Sequence, residues 1–400
     1  MRVHHLFAVL LLALCLAVPA LAQVSPESAE KYNAGQELFK KRRYQEALAV
    51  FQEAVNLDGK NAQAYRAMGK TYQKMRDYDN AIESYQMATS VKPDYTAAFF
   101  ELGQVQYQTR KYEDSQKSIQ QVLSLEPNFQ DGKARELLKV AYQKQGGLYY
   151  RQKNYKKAIE QYKNASQLDP SDAKVAYNLG LAYRLARNYR AAEQTFETAI
   201  DLDPQYAKAH KSLGDLFRST RKYSKAVRAY AKAITADPKL VDAYRYQAVA
   251  YNELKQPRKA VATLKKAAKV APKNSKVQVD LGVAYTKLKT PQYKSAISAY
   301  SRAIAFNGKD PQVHYRLSDA YLETKQYQKG INSARKALGS SKWKVPANVV
   351  MAGCYEALGN KEKAVQHYKK GLSDRRYKNY CKDKIDRILN PMGGGDGEEQ

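Results

Sequence analysis

Groups able to do covalent or metal chemistry are sparse in this 400-residue chain. Of its 5 histidines, His4 and His5 stand at the head of an apolar leader, leaving His210, His314 and His367. His210 and His314 occupy the aromatic position early in their repeats, which favours packing over metal binding. No HExxH, CxxC or Walker A pattern occurs. Carboxylates are scattered as they are on solvated helix faces. The terminal run Gly393-Gly394-Gly395-Asp396-Gly397 has no preceding strand, no lysine and no following helix, so it reads as a linker and not a phosphate loop. No catalytic residue is assigned, no metal or other cofactor is expected, and the chain is expected not to be an enzyme. Of 3 cysteines, Cys15 lies in the leader. Cys354 and Cys381 form a candidate disulfide in an oxidising compartment, the alternative being two semi-buried thiols. What the chain has in quantity is positive charge: 68 Lys and Arg against 39 Asp and Glu, a net +29. That favours anionic partners.

The elements that must position these charges are helical hairpins. In Ala173–Tyr206, residues Ala176, Leu179, Gly180 and Tyr183 follow i, i+3, i+4, i+7 spacing, one face of a helix. Ala186-Arg187-Asn188 breaks the pattern. Ala192, Phe196, Ala199 and Ile200 mark a second helix, which Asp203-Pro204 closes. Such a hairpin cannot bury its own apolar face and needs neighbours. Gly180 is expected where the two helices approach, with Phe196 and Tyr183 filling the space. Tyrosine, at 33 copies, serves mainly as a packing residue with its phenol at the edge of the core.

The leader places Arg2 before an apolar run, Leu6–Val18, and ends Ala20-Leu21-Ala22, the layout of a cleaved secretory signal over residues 1–22. A membrane anchor is the alternative, and the run is short for one. Leu14 before Cys15 argues against lipidation. Removal of Arg2 lowers the charge by one. The chain is therefore expected to be exported, to a periplasm or beyond the cell. Nucleic acid is not an expected partner there, and no other stretch is apolar enough to span a membrane.

The hairpin recurs. Gly35, Gly69, Gly103, Gly146, Gly180, Gly214, Ala248, Gly282, Ser318 and Ala352 keep a 34-residue period, broken by nine extra residues before Gly146 and two before Ser318. Alanine follows in phase (Ala47, Ala81, Ala158, Ala192, Ala226, Ala260, Ala296, Ala364), and Pro93, Pro127, Pro170, Pro204, Pro238 and Pro272 close units. Tyrosine recurs at the turn, with Pro257 replacing it in repeat seven. The pattern resembles the tetratricopeptide repeat (TPR) family over roughly residues 28–378. The resemblance implies an all-α, right-handed solenoid of ten helix-turn-helix units. Units one to three are expected at 28–129, an insertion extending the first helix of unit four at 130–138, units four to ten at 139–378, a capping helix at 379–390 and a flexible tail at 391–400.

In that family the first helices line a concave groove through positions 2, 5, 6, 9, 12 and 13 of each unit. Carried over residue by residue, this gives a partner-binding groove of Arg66, Lys70, Lys74, Lys144, Arg151, Lys174, Arg184, Lys208, Lys211 and Arg218. Glu101 and Asp215 oppose them, and Phe100, Tyr107, Tyr150 and Tyr177 alternate with them. Repeats seven to ten are mixed, with Arg245, Lys276, Lys287 and Arg316 against Asp242, Glu253, Asp280, Asp319, Glu323 and Glu356. Asn178 and Lys208 match part of the clamp with which some members hold a peptide C-terminus. Gln143, Gly147 and Ser212 depart from it, so that mode is not expected, although Asn178 could bond an extended backbone. The expected function is an exported adaptor whose basic groove holds an acidic or extended segment of a partner protein in an envelope or secretion complex. The alternatives are adhesion of the basic face to anionic wall polymer or a lipid surface, and lysines that only solubilise an alanine-rich solenoid.

Overall fold

The structure, a computed structural model, describes residues 24–390; the expected signal segment 1–22 and the tail 391–400 lie outside it. The described residues form 21 helices and no strand. They fall into two compact units divided between Ser171 and Asp172.

The first unit stacks four hairpins: α1 (Pro26–Lys40) with α2 (Tyr44–Leu57), α3 (Ala62–Lys74) with α4 (Tyr78–Val91), α5 (Thr96–Gln108) with α6 (Tyr112–Leu125), and α7 (Lys133–Arg151) with α8 (Tyr155–Leu168). The second continues with α9 (Ala173–Leu185) and α10 (Tyr189–Leu202), α11 (Ala207–Ser219) and α12 (Tyr223–Ala236), α13 (Val241–Glu253) and α14 (Pro257–Val270), and α15 (Ser275–Thr286) and α16 (Tyr293–Phe306). It ends with α17 (Pro311–Glu323) and α18 (Tyr327–Ala337), α19 (Ser341–Ala357) and α20 (Lys361–Gly371), and a last helix α21 (Lys378–Leu389) against α20. Each helix packs on its hairpin partner, and within each unit second helices pack on the next first helix. The chain is thus an all-α solenoid of helical hairpins.

The core explains the period. A Cβ built on Gly180 would sit 2.7 Å from Cδ1 of Phe196, which is fully buried, so the ring fills the space that glycine leaves. The turn between the helices is a left-handed cap. Arg187 adopts φ 61°, and the next residue, Asn188, donates its N–H to the carbonyl of Tyr183 at 3.0 Å. Asn188 then caps α10 by accepting from the N–H of Ala191 at 3.2 Å. Arg42, Arg76, Arg110, Lys153, Arg221, Lys255 and Lys325 repeat the left-handed position at φ 57–64°. A cation there faces the negative end of the first helix, which offsets part of the cost of a side chain with positive φ.

The nine extra residues before Gly146 begin with three left-handed residues, Gln130, Asp131 and Gly132 (φ 48°, 53° and 88°). The rest lengthens α7 to 19 residues, against 13 in α9. The division between units falls one hairpin later, after α8. Cys354 and Cys381 are both fully buried and both free. The candidate disulfide is therefore corrected, for a steric reason. Cys354 Sγ fills the space over Gly330, and Cys381 Sγ that over Gly371, so the thiols serve different helix contacts. Burial pushes the Cys354 thiol up to about 12, leaving it inert as a nucleophile.

Candidate functional site: the first-helix face

Two ladders of polar contacts, mostly hydrogen bonds, order the first helices, and together they determine which cations remain available. The first runs between neighbouring repeats, from one residue to another 35 positions on. Arg66 grips Glu101 with two bonds (Nε to Oε2 2.8 Å, Nη2 to Oε1 2.6 Å). Ser212 Oγ donates to Tyr177 Oη at 3.4 Å. The Lys211 ammonium lies 5.2 Å from the Tyr246 ring centre. Arg245 Nε donates to Asp280 Oδ2 at 2.7 Å. These positions are five and six of successive units, so the inner face is partly closed on itself.

The second ladder runs inside a hairpin, over 12 positions. Tyr85 Oη donates to Gln73 Oε1 at 3.1 Å, Arg218 Nε donates to Tyr230 Oη at 3.3 Å, and Tyr368 Oη donates to Glu356 Oε2 at 2.6 Å. Burial raises these phenols well above their ordinary value, so they stay protonated. Where the second helix carries Phe196 or Leu264, the hydroxyl is missing. There the facing atoms, Arg184 Nε and Asn252 Oδ1, are buried without a hydrogen-bond partner.

The predicted basic residues accordingly split. Arg66 and Lys70 both serve Glu101, Lys70 at 3.0 Å. Lys211 and Arg218 both serve Asp215, at 2.7 and 4.0 Å, and Tyr230 Oη also donates to that carboxylate at 2.7 Å. Four of the ten cations are thus committed to two carboxylates. Lys74, Lys144, Arg151, Lys174 and Lys208 are exposed, with no ion-pair partner among the described residues. Arg184 and Asn178 are half-buried, as is Tyr177, whose ring packs 5.1 Å from that of Tyr206. Phe100 is only 5% exposed and packs 5.1 Å from Phe129, so it belongs to the core and has no free face to offer a ligand.

Tyr246 was absent from the predicted set although its register, position six of repeat seven, marked it. Its ring is the hub of a cation cluster, with Arg218 at 4.9 Å, Lys211 at 5.2 Å and Arg245 at 5.8 Å. Of the acidic residues of the later repeats, Asp280, Asp319 and Glu356 are half-buried and Asp242, Glu253 and Glu323 are exposed; burial raises Asp280 despite Arg245, and raises Asp319, with Glu323 adding to the effect. The histidines have structural partners. His210 and His314 use Nε2 towards the carbonyls of Pro204 (3.0 Å) and Gly308 (2.9 Å), which places the ring proton on that nitrogen, and His367 Nδ1 meets Asn348 Oδ1 at 2.8 Å. No group of three metal-ligating side chains occurs among the described residues, and no helix there is long and apolar enough to cross a membrane.

A search among curated proteins finds no match. Among solved structures, the complex of Naa15/Naa10 bound to HypK-THB is similar at 15% identity, over 90% of this chain and 60% of that one, with a TM-score of 0.51. MamA is similar at 26% identity over 44% of this chain and 94% of its own (TM-score 0.39). YrrB, described as a TPR protein with an unusual peptide-binding site, is similar at 17% over 46% and 95% (TM-score 0.41). Tetratricopeptide repeat models match residues 62–95, 96–129, 177–241, 211–275, 281–342 and 345–373, and a TPR repeat model matches 35–75 and 140–185. With repeat models covering most of its length and the hairpin stack they describe, the chain belongs to the tetratricopeptide repeat family, a family of scaffolds for protein–protein contact.

Proposed function

We propose that the chain is an exported, non-catalytic adaptor that holds an acidic, extended segment of a partner protein along the first helices of repeats five and six. The observation that carries this reading is the pair Lys174 and Lys208. They occupy the same position at the start of α9 and α11, one repeat apart, both exposed and both without an ion-pair partner among the described residues. Between them lie Tyr177 and Asn178, half-buried, offering a ring edge and an amide to an extended backbone. A carboxylate every few residues along such a segment would meet the two ammonium groups, so affinity would fall as salt screens them. Export rests on the leader sequence, and a role in an envelope or secretion assembly follows from export.

The test uses a fluorescent peptide of alternating glutamate and alanine, followed by anisotropy. Lys174→Glu with Lys208→Glu removes the two free charges without touching the Asp215 cluster. Binding is expected to weaken by about tenfold or more, and to weaken further between about 0.1 and 0.5 M salt. Unchanged binding by the double variant sinks the groove reading. Export is tested separately, by sequencing the N-terminus of the protein recovered from cells; an intact Met1 would exclude cleavage after Ala22.

A further inference from the structure

Two irregularities of the repeat converge on one cavity. Repeat seven has Pro257 where most units have a turn tyrosine, and repeat eight has two extra residues in the turn Lys287–Gln292. In repeat two the turn tyrosine bridges to the next unit, Tyr78 Oη accepting from Gln108 Nε2 at 2.8 Å. The equivalent pair in repeats seven and eight is Pro257 and Lys287, which cannot make that bridge. In repeats three and four the turn tyrosine also packs on an aromatic of the first helix, Tyr107 with Tyr112 and Tyr150 with Tyr155; repeat seven has Asn252 there. The lengthened turn lacks the left-handed residue, although Gln292 still donates its N–H to the carbonyl of Tyr285 at 3.1 Å, as Asn188 does to Tyr183. What remains between the two turns is a cavity of about 740 Å³, within the size range of small-molecule sites.

Its lining is Asn252, Gln256, Pro257 and five cations, Lys255, Arg258, Lys259, Lys287 and Lys289, with no carboxylate. None of the five has an ion-pair partner among the described residues, whereas Lys211, Arg218 and Arg245 in the same unit each have one. Two of them, Arg258 and Lys259, occupy the first turn of α14, which has no acidic residue and no side-chain cap. That is the positive end of the helix dipole, where cations are unfavourable and an anion is favoured. Five like charges around one opening repel one another unless a counter-anion sits among them. Four are lysines, point charges suited to dense oxyanion charge, and the one arginine carries a planar fork that also matches phosphate.

We propose that this cavity is a binding site for a multiply charged phosphate anion, separate from the groove of repeats five and six. The probe is sodium tripolyphosphate, titrated calorimetrically into the full chain at low ionic strength. One equivalent is expected to bind. Arg258→Glu with Lys289→Glu, one charge from each wall, should weaken it by about tenfold or more. Pro257→Tyr, which restores the turn tyrosine and fills the opening without changing charge, should weaken it similarly. Lys265→Glu with Lys266→Glu makes the same charge change on exposed positions of α14 outside the lining, and should leave affinity within about threefold. Circular dichroism checks that each variant is folded. The proposal is overturned if the unaltered chain does not bind, if Pro257→Tyr binds unchanged, or if the Lys265/Lys266 variant loses as much as the Arg258/Lys289 variant. A parallel titration with poly(glycerol phosphate) separates the sources: tighter binding per phosphate assigns a phosphodiester polymer, weaker binding a free polyphosphate.

Discussion

Arg184 and Arg218 occupy the same position in consecutive repeats, yet one has an orphaned Nε and the other does not. The difference is a single oxygen on the facing helix: Tyr230 supplies a hydroxyl to Arg218 at 3.3 Å, while Phe196 offers Arg184 only a ring edge. Phe196→Tyr should therefore add a hydrogen bond in a site already shaped for the phenol, since Tyr230 is itself fully buried. The expected gain is about 1 kcal/mol, a melting temperature higher by about 2–4 °C, read by thermal denaturation. A lower melting temperature would show that the Phe196 site has no room for the oxygen. None of this pairing was legible in the sequence. Phe196 and Tyr230 both read as aromatic core, and only the 12-residue ladder makes the hydroxyl a partner. For the same reason the basic groove read as ten equivalent cations. The sequence showed Glu101 and Asp215 opposing them, but not that each carboxylate neutralises two, nor that Phe100 turns inward onto Phe129.

At the scale of the hairpin, the small residue and the ring opposite it form a matched pair. Gly180 faces Phe196 and Gly214 faces Tyr230, each leaving under 3 Å for a Cβ. Repeat seven carries another combination, with Ala248 and Leu264 both buried in one core cluster. Gly180→Ala alone is expected to cost about 1–3 kcal/mol because the ring must shift in a close-packed layer. In a Phe196→Leu background the added cost should fall below about 1 kcal/mol, giving a favourable coupling in a double-mutant cycle. Additivity of the two changes, measured by urea denaturation, would mean that the steric pairing is not what sets the period. The repeats were legible because this pairing recurs at fixed spacing, with glycine and alanine each tied to a contact. The turns were legible only as interruptions: Arg187 carries no local signal for left-handed geometry, since glycine or asparagine would ordinarily stand there. Likewise the cysteines, an even pair after the leader, gave no sign that each belongs to a different helix contact.

Across the whole molecule the charges are unevenly answered. With 68 basic residues against 39 acidic, a buried or half-buried carboxylate has cations at hand, and Glu101, Asp215, Asp280 and Glu356 each pair with one or more. Asp169, held by Ser171 and Lys139, is depressed to about 2, and its contribution to stability is present above the ordinary carboxylate range and lost as pH falls towards 2. Asp280 and Asp319 go the other way. Burial raises both, so their ionised forms are disfavoured in the fold; the stability they contribute is present below the unfolded value and lost as pH rises through the folded one. The two differ in their partners. Asp280 meets Arg245 at 2.7 Å, whereas Asp319 has Glu323 adding to its burden, only the more distant Arg316 opposing it, and no ion pair among the described residues. Asp319→Asn should therefore raise the melting temperature at pH 7, where the native carboxylate is forced to ionise or to hold a costly proton. The gain should vanish near pH 3, where aspartic acid and asparagine are both neutral. Asp280→Asn should lower the melting temperature at pH 7, because it removes the more buried of the two carboxylates that hold the half-buried Arg245 and leaves it only the exposed Asp242 at 3.0 Å. Thermal melts of both variants at the two pH values read the contrast directly. A gain for Asp319→Asn that persists unchanged at pH 3 would show that its effect is packing and not charge, and equal losses for both variants at pH 7 would mean that Arg316 pairs with Asp319 as firmly as Arg245 does with Asp280.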